Sequence, residues 1–109
     1  MAIATGKTTL LAATTSATQS QSFSLKHASK NQQATIQVIG LTSTNKAYLQ
    51  VQNLIDGTWT NLLLNGSAVY CDVNNNIIYI SGNGTYRIDK QGSDNVGVAI
   101  VSDWDYDVV

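Results

Sequence analysis

Apolar residues fall on alternate positions in stretch after stretch of this chain, and no stretch repeats them at helical spacing. Alternation sends neighbouring side chains to opposite faces of an extended strand. Each strand can then bury only one face, and the chain must stack or curl its sheets to form a core. "QSFSLKH" puts Phe23 and Leu25 on one face. "ATIQVIGL" does the same with Ile36 and Val38 before Gly40 closes it, and "AYLQVQNL" sets Leu49 and Val51 against Tyr48, Gln50 and Gln52. "AVYCDV" points Val69, Cys71 and Val73 inward, "TYRID" points Tyr86 and Ile88, and "VGVAIVS" points Val96, Val98 and Ile100.

Turn signals separate these runs. Asp56-Gly57 in "IDGTW" predicts a hairpin returning through "TWTNLLL", because glycine supplies the positive φ that such turns need. "NGS" after Leu64, the run Asn74–Asn76, "GNG" at 82–84 and "KQGSDN" mark further breaks. About nine short strands at this spacing predict an all-β, antiparallel sandwich or barrel in one domain over 1–109. The expected core is Phe23, Ile36, Val38, Leu49, Val51, Leu63, Val69, Cys71, Val73, Ile78, Ile80, Ile88, Val98 and Ile100.

A sheet built from this sequence has an edge problem. The chain has no proline and only 12% charged residues, so the usual blunting of exposed edges is scarce beyond Lys26 and Lys30. Closure or pairing with another chain would cover the edges, and a homo-oligomer is expected, a trimer ahead of a dimer. Thr, Ser, Asn and Gln fill the polar positions, and uncharged polar groups are cheaper to desolvate against a partner than Lys or Glu. With 6 Lys+Arg against 7 Asp+Glu the formal net charge is -1. That is too little positive field to draw in phosphate backbones, so nucleic acid is not expected as a partner.

Little in the chain carries chemistry. There is one His, His27, one Cys, Cys71, and no Glu. This leaves no zinc spacing, no disulfide within the chain and no nucleophile–base pair. "GKTT" at Gly6–Thr9 has Met1 where a phosphate-binding loop needs its first glycine. Asp103, Asp105 and Asp107 alternate in "DWDYD" but lack the glycine turn and distal Glu of a calcium loop. They read as an acidic stripe facing solvent or a partner. No enzyme activity, metal or cofactor is expected. The first 21 residues hold no apolar run long enough for a signal core or a membrane span, so a soluble protein with no membrane partner is expected. The same stretch, "MAIATGKTTLLAATTSATQSQ", is expected to be either an extended arm over 1–20 that adds a strand to a neighbour or an ordinary first strand.

Trp59 and the tyrosines allow two uses. They could stack sugar rings on a sandwich face, as in a carbohydrate-binding module. The parity of Trp59 with Asn61 and Leu63 instead suits a core edge at the hairpin, with partner contact as a second role. The candidate partner contacts are Leu10 and Leu11 near the N-terminus, Tyr48 and Trp59 at the hairpin, and Trp104 and Tyr106 in the tail.

From about Tyr48 to Val101 the succession of an "LQVQN" strand, a "DGTWTNL" hairpin, a "GSAV" segment, a "YISGNGTYRI" hairpin and a "VGVAI" strand resembles small accessory proteins of tailed-phage virions. The resemblance covers about half of the chain, and its motifs are structural. It implies a jelly-roll-like β-sandwich of the capsid decoration (cement) type: a homo-oligomer on the capsid exterior that bridges major capsid protein subunits, soluble in the host cytoplasm before assembly. A fibre, spike or tail component is the alternative it also implies. It implies no cofactor, and no functional residue carries over by position.

Overall fold

A computed structural model describes residues 2–26, 33–42 and 44–109, with the side chains of Ala2, Ile3 and Trp104 outside that description. His27 and Lys30 also lie outside the described residues. The elements run β1 (Ala2–Thr14), β2 (Thr18–Gln19), β3 (Phe23–Leu25), β4 (Gln33–Ile39), β5 (Ala47–Gln52), β6 (Trp59–Asn61), β7 (Leu63–Leu64), β8 (Ser67–Ala68), β9 (Tyr70–Cys71), β10 (Ile77–Ser81), β11 (Gly84–Lys90) and β12 (Val96–Val108). The fold is all-β, and its strand pairs are antiparallel.

One sheet curls through the order β10-β4-β12-β3-β11-β5-β6, with β1 joined to β12, β2 to β11 and β9 to β5. β12 is the strand that joins the two layers. Its first half pairs with β4, from Gly97 opposite Ile39 to Ser102 opposite Ala34. Its end pairs with β3, through Asp107 opposite Ser24 and Val108 opposite Phe23. The strand bends where β1 steps from Ala4 opposite Tyr106 to Gly6 opposite Ser102. Three residues of β12 thus face one of β1, a bulge that turns the ribbon. Tyr106 fastens this bend: its hydroxyl donates to Gly6 O at 2.8 Å and meets Thr8 Oγ1 at 2.7 Å.

The core lies between the layers. Leu10, Ile36, Val38, Ile78, Ile80, Val98 and Ile100 come from one side, and Phe23, Leu25, Leu49, Cys71, Tyr86 and Ile88 from the other. Val51 and Val69 are half-buried against it. Leu63 and Val73 were expected inside and are exposed. Alternation stops before each of them. At Leu62 the chain bonds sideways to β5, Leu62 N to Leu49 O at 2.9 Å, and Leu63 then enters the separate β7–β8 hairpin. Val73 sits in a turn that already begins at Asp72, closed by Asp72 N to Asn75 O at 2.9 Å and Asn74 N to Asp72 Oδ1 at 2.9 Å.

Two further expectations are corrected. "YISGNGTYRI" is not a hairpin: β10 pairs with β4, whereas β11 pairs with β2, β3 and β5. The glycines carry the chain between layers instead, with Gly82 at φ 119 and the Tyr86 hydroxyl reaching back to Gly82 O at 3.3 Å. The N-terminal segment, in this chain, is a first strand and not an arm. β1 pairs along its length with β12, and Leu10 is only 2% exposed.

Polar groups inside the fold are paired. Lys90 is fully buried, and its ammonium donates to Ser16 O and Gly92 O, both at 3.0 Å. This ties the β1–β2 connection to the β11–β12 loop. Ser20 Oγ accepts from Ile88 N at 3.0 Å and donates to Gln21 O at 2.9 Å. Asp107 turns inward to pair with Lys26, so it leaves the acidic stripe expected with Asp103 and Asp105, which are exposed.

Candidate interaction surfaces

The β5–β6 hairpin is held at its tip by its own side chains. Asn53 N donates to Thr58 O at 2.7 Å and Gly57 N to Asn53 O at 2.9 Å, with Gly57 at φ 76. Asn53 Oδ1 accepts from Ile55 N at 2.8 Å. Asp56 Oδ1 accepts from Thr58 N at 3.0 Å and from Thr58 Oγ1 at 2.8 Å. The Thr58 amide, and after it the Thr58 hydroxyl, hold the Asp56 carboxyl below its ordinary pKa. This bonded loop presents Leu54 and Ile55, adjacent in sequence, at 92% and 95% exposure.

The β7–β8 hairpin makes a second such display. Asn65 at φ 54 and Gly66 at φ 81 form a two-residue turn with both central residues left-handed, the geometry that suits a twisted hairpin. It carries Leu63 and Leu64 at 62% and 66% exposure. The Asn65-Gly66 pair was legible in the sequence as a hairpin signal. The expectation that Leu63 belonged to the preceding strand hid it.

The solvent face of β11, β5, β6 and β9 is of a different kind. Strand register sets out rows across it: Asp89, Tyr48 and Tyr70; then Arg87, Gln50 and Asn61; then Gln52 and Trp59. Trp59 was expected at a core edge. Its parity with Asn61 holds, but the face they share is the outer one, since β5 spends Leu49 and Val51 inward. Arg87 crosses β5 to lie 4.4 Å from the centre of the Trp59 ring, and its Nε donates to Gln50 Oε1 at 2.7 Å. Gln50 Nε2 in turn donates to Asn61 Oδ1 at 3.1 Å. Tyr48 and Tyr70 meet at 5.6 Å between ring centres, with the Lys46 ammonium 4.4 Å from the centre of the Tyr70 ring.

The opposite solvent face, on β1, β12, β4 and β10, mixes aliphatic Ile39 and Val101 with Tyr79 and with polar residues such as Lys7 and Gln37. A depression of about 430 Å³ there is lined by residues that include Lys7, Leu11, Gln37, Ile39, Gly97 and Ala99.

Of the six expected partner contacts, Tyr48 and Trp59 share the aromatic face and Leu11 borders the depression on the other side. Leu10 and Tyr106, the latter 1% exposed, are core residues, because the core takes up their apolar surface and the β1–β12 bend takes up the Tyr106 hydroxyl. The Trp104 side chain lies outside the description. Sequence reasoning missed Leu54, Ile55 and Leu64, which it treated as turn and strand residues.

No protein-family model matches the chain, and no curated protein matches it. Among solved structures, the crystal structure of SPBc2 prophage-derived protein YomS is similar, with a TM-score of 0.56 at 16% sequence identity. The match covers 94% of this chain and 96% of that one. At this identity the likeness is one of fold, and it extends over nearly the whole of both chains.

Proposed function

We propose that this chain is a structural protein of a phage virion that decorates the capsid exterior and cements it by bridging major capsid protein subunits. The observation that carries the reading is the pair of bonded hairpins holding Leu54–Ile55 and Leu63–Leu64 out into solvent. Apolar side chains on pre-ordered tips add buried area on docking while little conformational entropy remains to be lost. The fold shared with a prophage-derived protein supports a phage setting. The charge-poor surface supports close seating on a shell.

The mechanism is mechanical and needs no cofactor and no catalysis. A subunit touching two or three neighbours adds contact area to each, and its second contact forms at the high effective concentration set by the first. A homo-oligomer, a trimer ahead of a dimer, would match a symmetric position on the shell.

Counting copies in purified virions tests this. Decoration requires hundreds of copies, in proportion to the major capsid protein, by the logic of shell symmetry. A count of a few per particle, confined to the tail, would replace it with the fibre or tail reading.

A further inference from the structure

We infer that the aromatic face of β5, β6, β9 and β11 is a binding site for an uncharged oligosaccharide. The site is distinct from the exposed Leu54–Ile55 and Leu63–Leu64 pairs and does not depend on the cement reading.

Ring stacking is the first requirement. Trp59, Tyr48 and Tyr70 are all partly exposed on the solvent side of β6, β5 and β9, and the core is filled by residues of the other face such as Leu49 and Cys71. The fold therefore makes no demand for three aromatics on this side. A pyranose offers a patch of C–H groups ringed by hydroxyls, and an aromatic ring with a polar edge matches that pattern.

The second requirement is for planar hydrogen-bonding groups held still between the rings. Arg87, Gln50 and Asn61 form a chain of side-chain bonds across three strands. Asp89, in the next row, accepts from Gln19 Nε2 at 3.0 Å. Gln50 uses both ends of its amide to hold its two neighbours in place. Arg87 uses Nε and keeps its terminal nitrogens, and Asn61 accepts and keeps its amide N–H groups. Adjacent sugar hydroxyls present donor and acceptor side by side, which suits groups of this shape. Among the described residues the Tyr48 and Tyr70 hydroxyls make no hydrogen bond within the protein, so they too are free for a ligand.

Charge selects the ligand class. Lys46 lies against the Tyr70 ring and Arg87 against the Trp59 ring, and Asp89 stands in the same lattice. Among the described residues this face has no cluster of cations that would hold a phosphate or an acidic sugar, and it matches a neutral polyol. It also carries no aliphatic side chain in its three rows, unlike the hairpin tips that suit a protein partner.

Length selects an oligomer. Trp59 stands beside Gln52 and Tyr70 beside Tyr48, four residues apart on β5, or about 13 Å along a strand. Two aromatic stations at that separation fit different rings of one chain.

The test uses the full chain with Trp104→Phe, which leaves Trp59 as the sole indole. A neutral-glycan array is followed by titration with the hexaoses of maltose, cellulose and chitin and with mannan, read by Trp59 fluorescence. At least one of these should bind, at least about tenfold tighter than its own monosaccharide, a difference of 1.4 kcal/mol. Salt should leave binding unchanged, as no charge is neutralised. Tyr48→Ala and Arg87→Met should each weaken binding at least about tenfold with the unfolding midpoint within the range of surface variants. Trp59→Ala, followed by calorimetry, should do the same. No binding to any neutral glycan overturns the inference, as does binding that these variants leave intact or that falls steeply with salt. Virion copy number in the Trp59→Ala variant should stay at its wild-type value, so failure here is distinguishable from failure of the decoration reading.

Discussion

Lys90 and the Leu54–Ile55 pair invert the usual rule of inside and outside. One is a lysine with no exposed surface, and the other is a pair of aliphatic residues almost wholly in water. The difference lies in what each does for the isolated chain. Lys90 joins Ser16 O to Gly92 O and so locks together two connections that no strand pair reaches. Leu54 and Ile55 sit on a loop whose closure comes from Asn53, Asp56 and Gly57, and their side chains add nothing to it. A buried polar residue with a structural task and an exposed apolar pair without one should respond to mutation in opposite ways.

The largest effect is expected at Lys90. Truncating it to Ala removes two charge-assisted bonds, leaves two carbonyls short of a donor and opens space inside the fold. A loss of about 3–5 kcal/mol is expected in chemical denaturation. Lys90→Met keeps the stem and should cost roughly half as much, about 2 kcal/mol. A loss below about 1 kcal/mol for Lys90→Ala would mean that the two connections hold without it.

Core truncation comes next. Ile36→Ala and Val98→Ala each remove a fully enclosed aliphatic group in the β4–β12 layer, and about 2–4 kcal/mol should be lost for Ile36 and somewhat less for the smaller valine. Gly40→Ala should cost about 2 kcal/mol. Gly40 sits at φ 111, and a methyl there would overlap the Asn95 carbonyl oxygen. Equal unfolding midpoints for Gly40→Ala and wild type would show that the β4 exit has room to relax.

These positions also mark how far the sequence could be read. Phe23, Ile36, Val38, Leu49, Ile78, Ile80, Ile88, Val98 and Ile100 were legible because alternation assigns a face without knowledge of the partner strand. Turn chemistry was legible as bending and not as pairing. Asp56-Gly57 does make a hairpin, whereas the Gly82–Gly84 segment makes a crossing between layers, since pairing is decided by register with β4 and β5 far away in the chain. Lys90 was legible only in direction: alternation with Tyr86 and Ile88 points it inward, but its acceptors come from loops. The aromatic face was half legible. Trp59 and Tyr48 stood out as residues, but their shared face needed the β5–β6 register.

A smaller effect is expected at Cys71. Burial, with Asp72 adding to it, pushes this thiol from 9.0 up to about 12. The folded thiol therefore stays protonated where the unfolded one ionises. Its contribution to stability is full below the unfolded value, declines as pH rises through the interval from 9.0 to about 12, and is lost above it. The slope from one such group is about 1.4 kcal/mol per pH unit at most. Urea titrations across this interval should show a steeper alkaline decline for wild type than for Cys71→Ala, and parallel declines would show that the thiol ionises in place. Thiol labelling of the native protein at neutral pH should be slow for the same reason.

The smallest effect on stability, and the most telling for function, belongs to the hairpin tip. Replacing Leu54 and Ile55 together by serine leaves every bond that closes the loop intact: Asn53 still accepts from the amide at position 55, and Asp56 still accepts from Thr58. Stability should move by no more than about 0.5 kcal/mol, the range of surface changes away from such features. Binding to the shell should fall much further. Two anchors lost from the centre of a contact amount to about 2 kcal/mol or more, or roughly thirtyfold in affinity. Occupancy of virions grown with the Leu54→Ser, Ile55→Ser double variant, set against its unfolding midpoint, separates the two readings of these residues. A lowered midpoint would make the pair a part of the fold after all. An unchanged midpoint with unchanged occupancy would leave docking to Leu63 and Leu64, and the same double substitution there would then have to strip the shell, because among the described residues no other two adjacent aliphatic side chains stand exposed on a bonded hairpin.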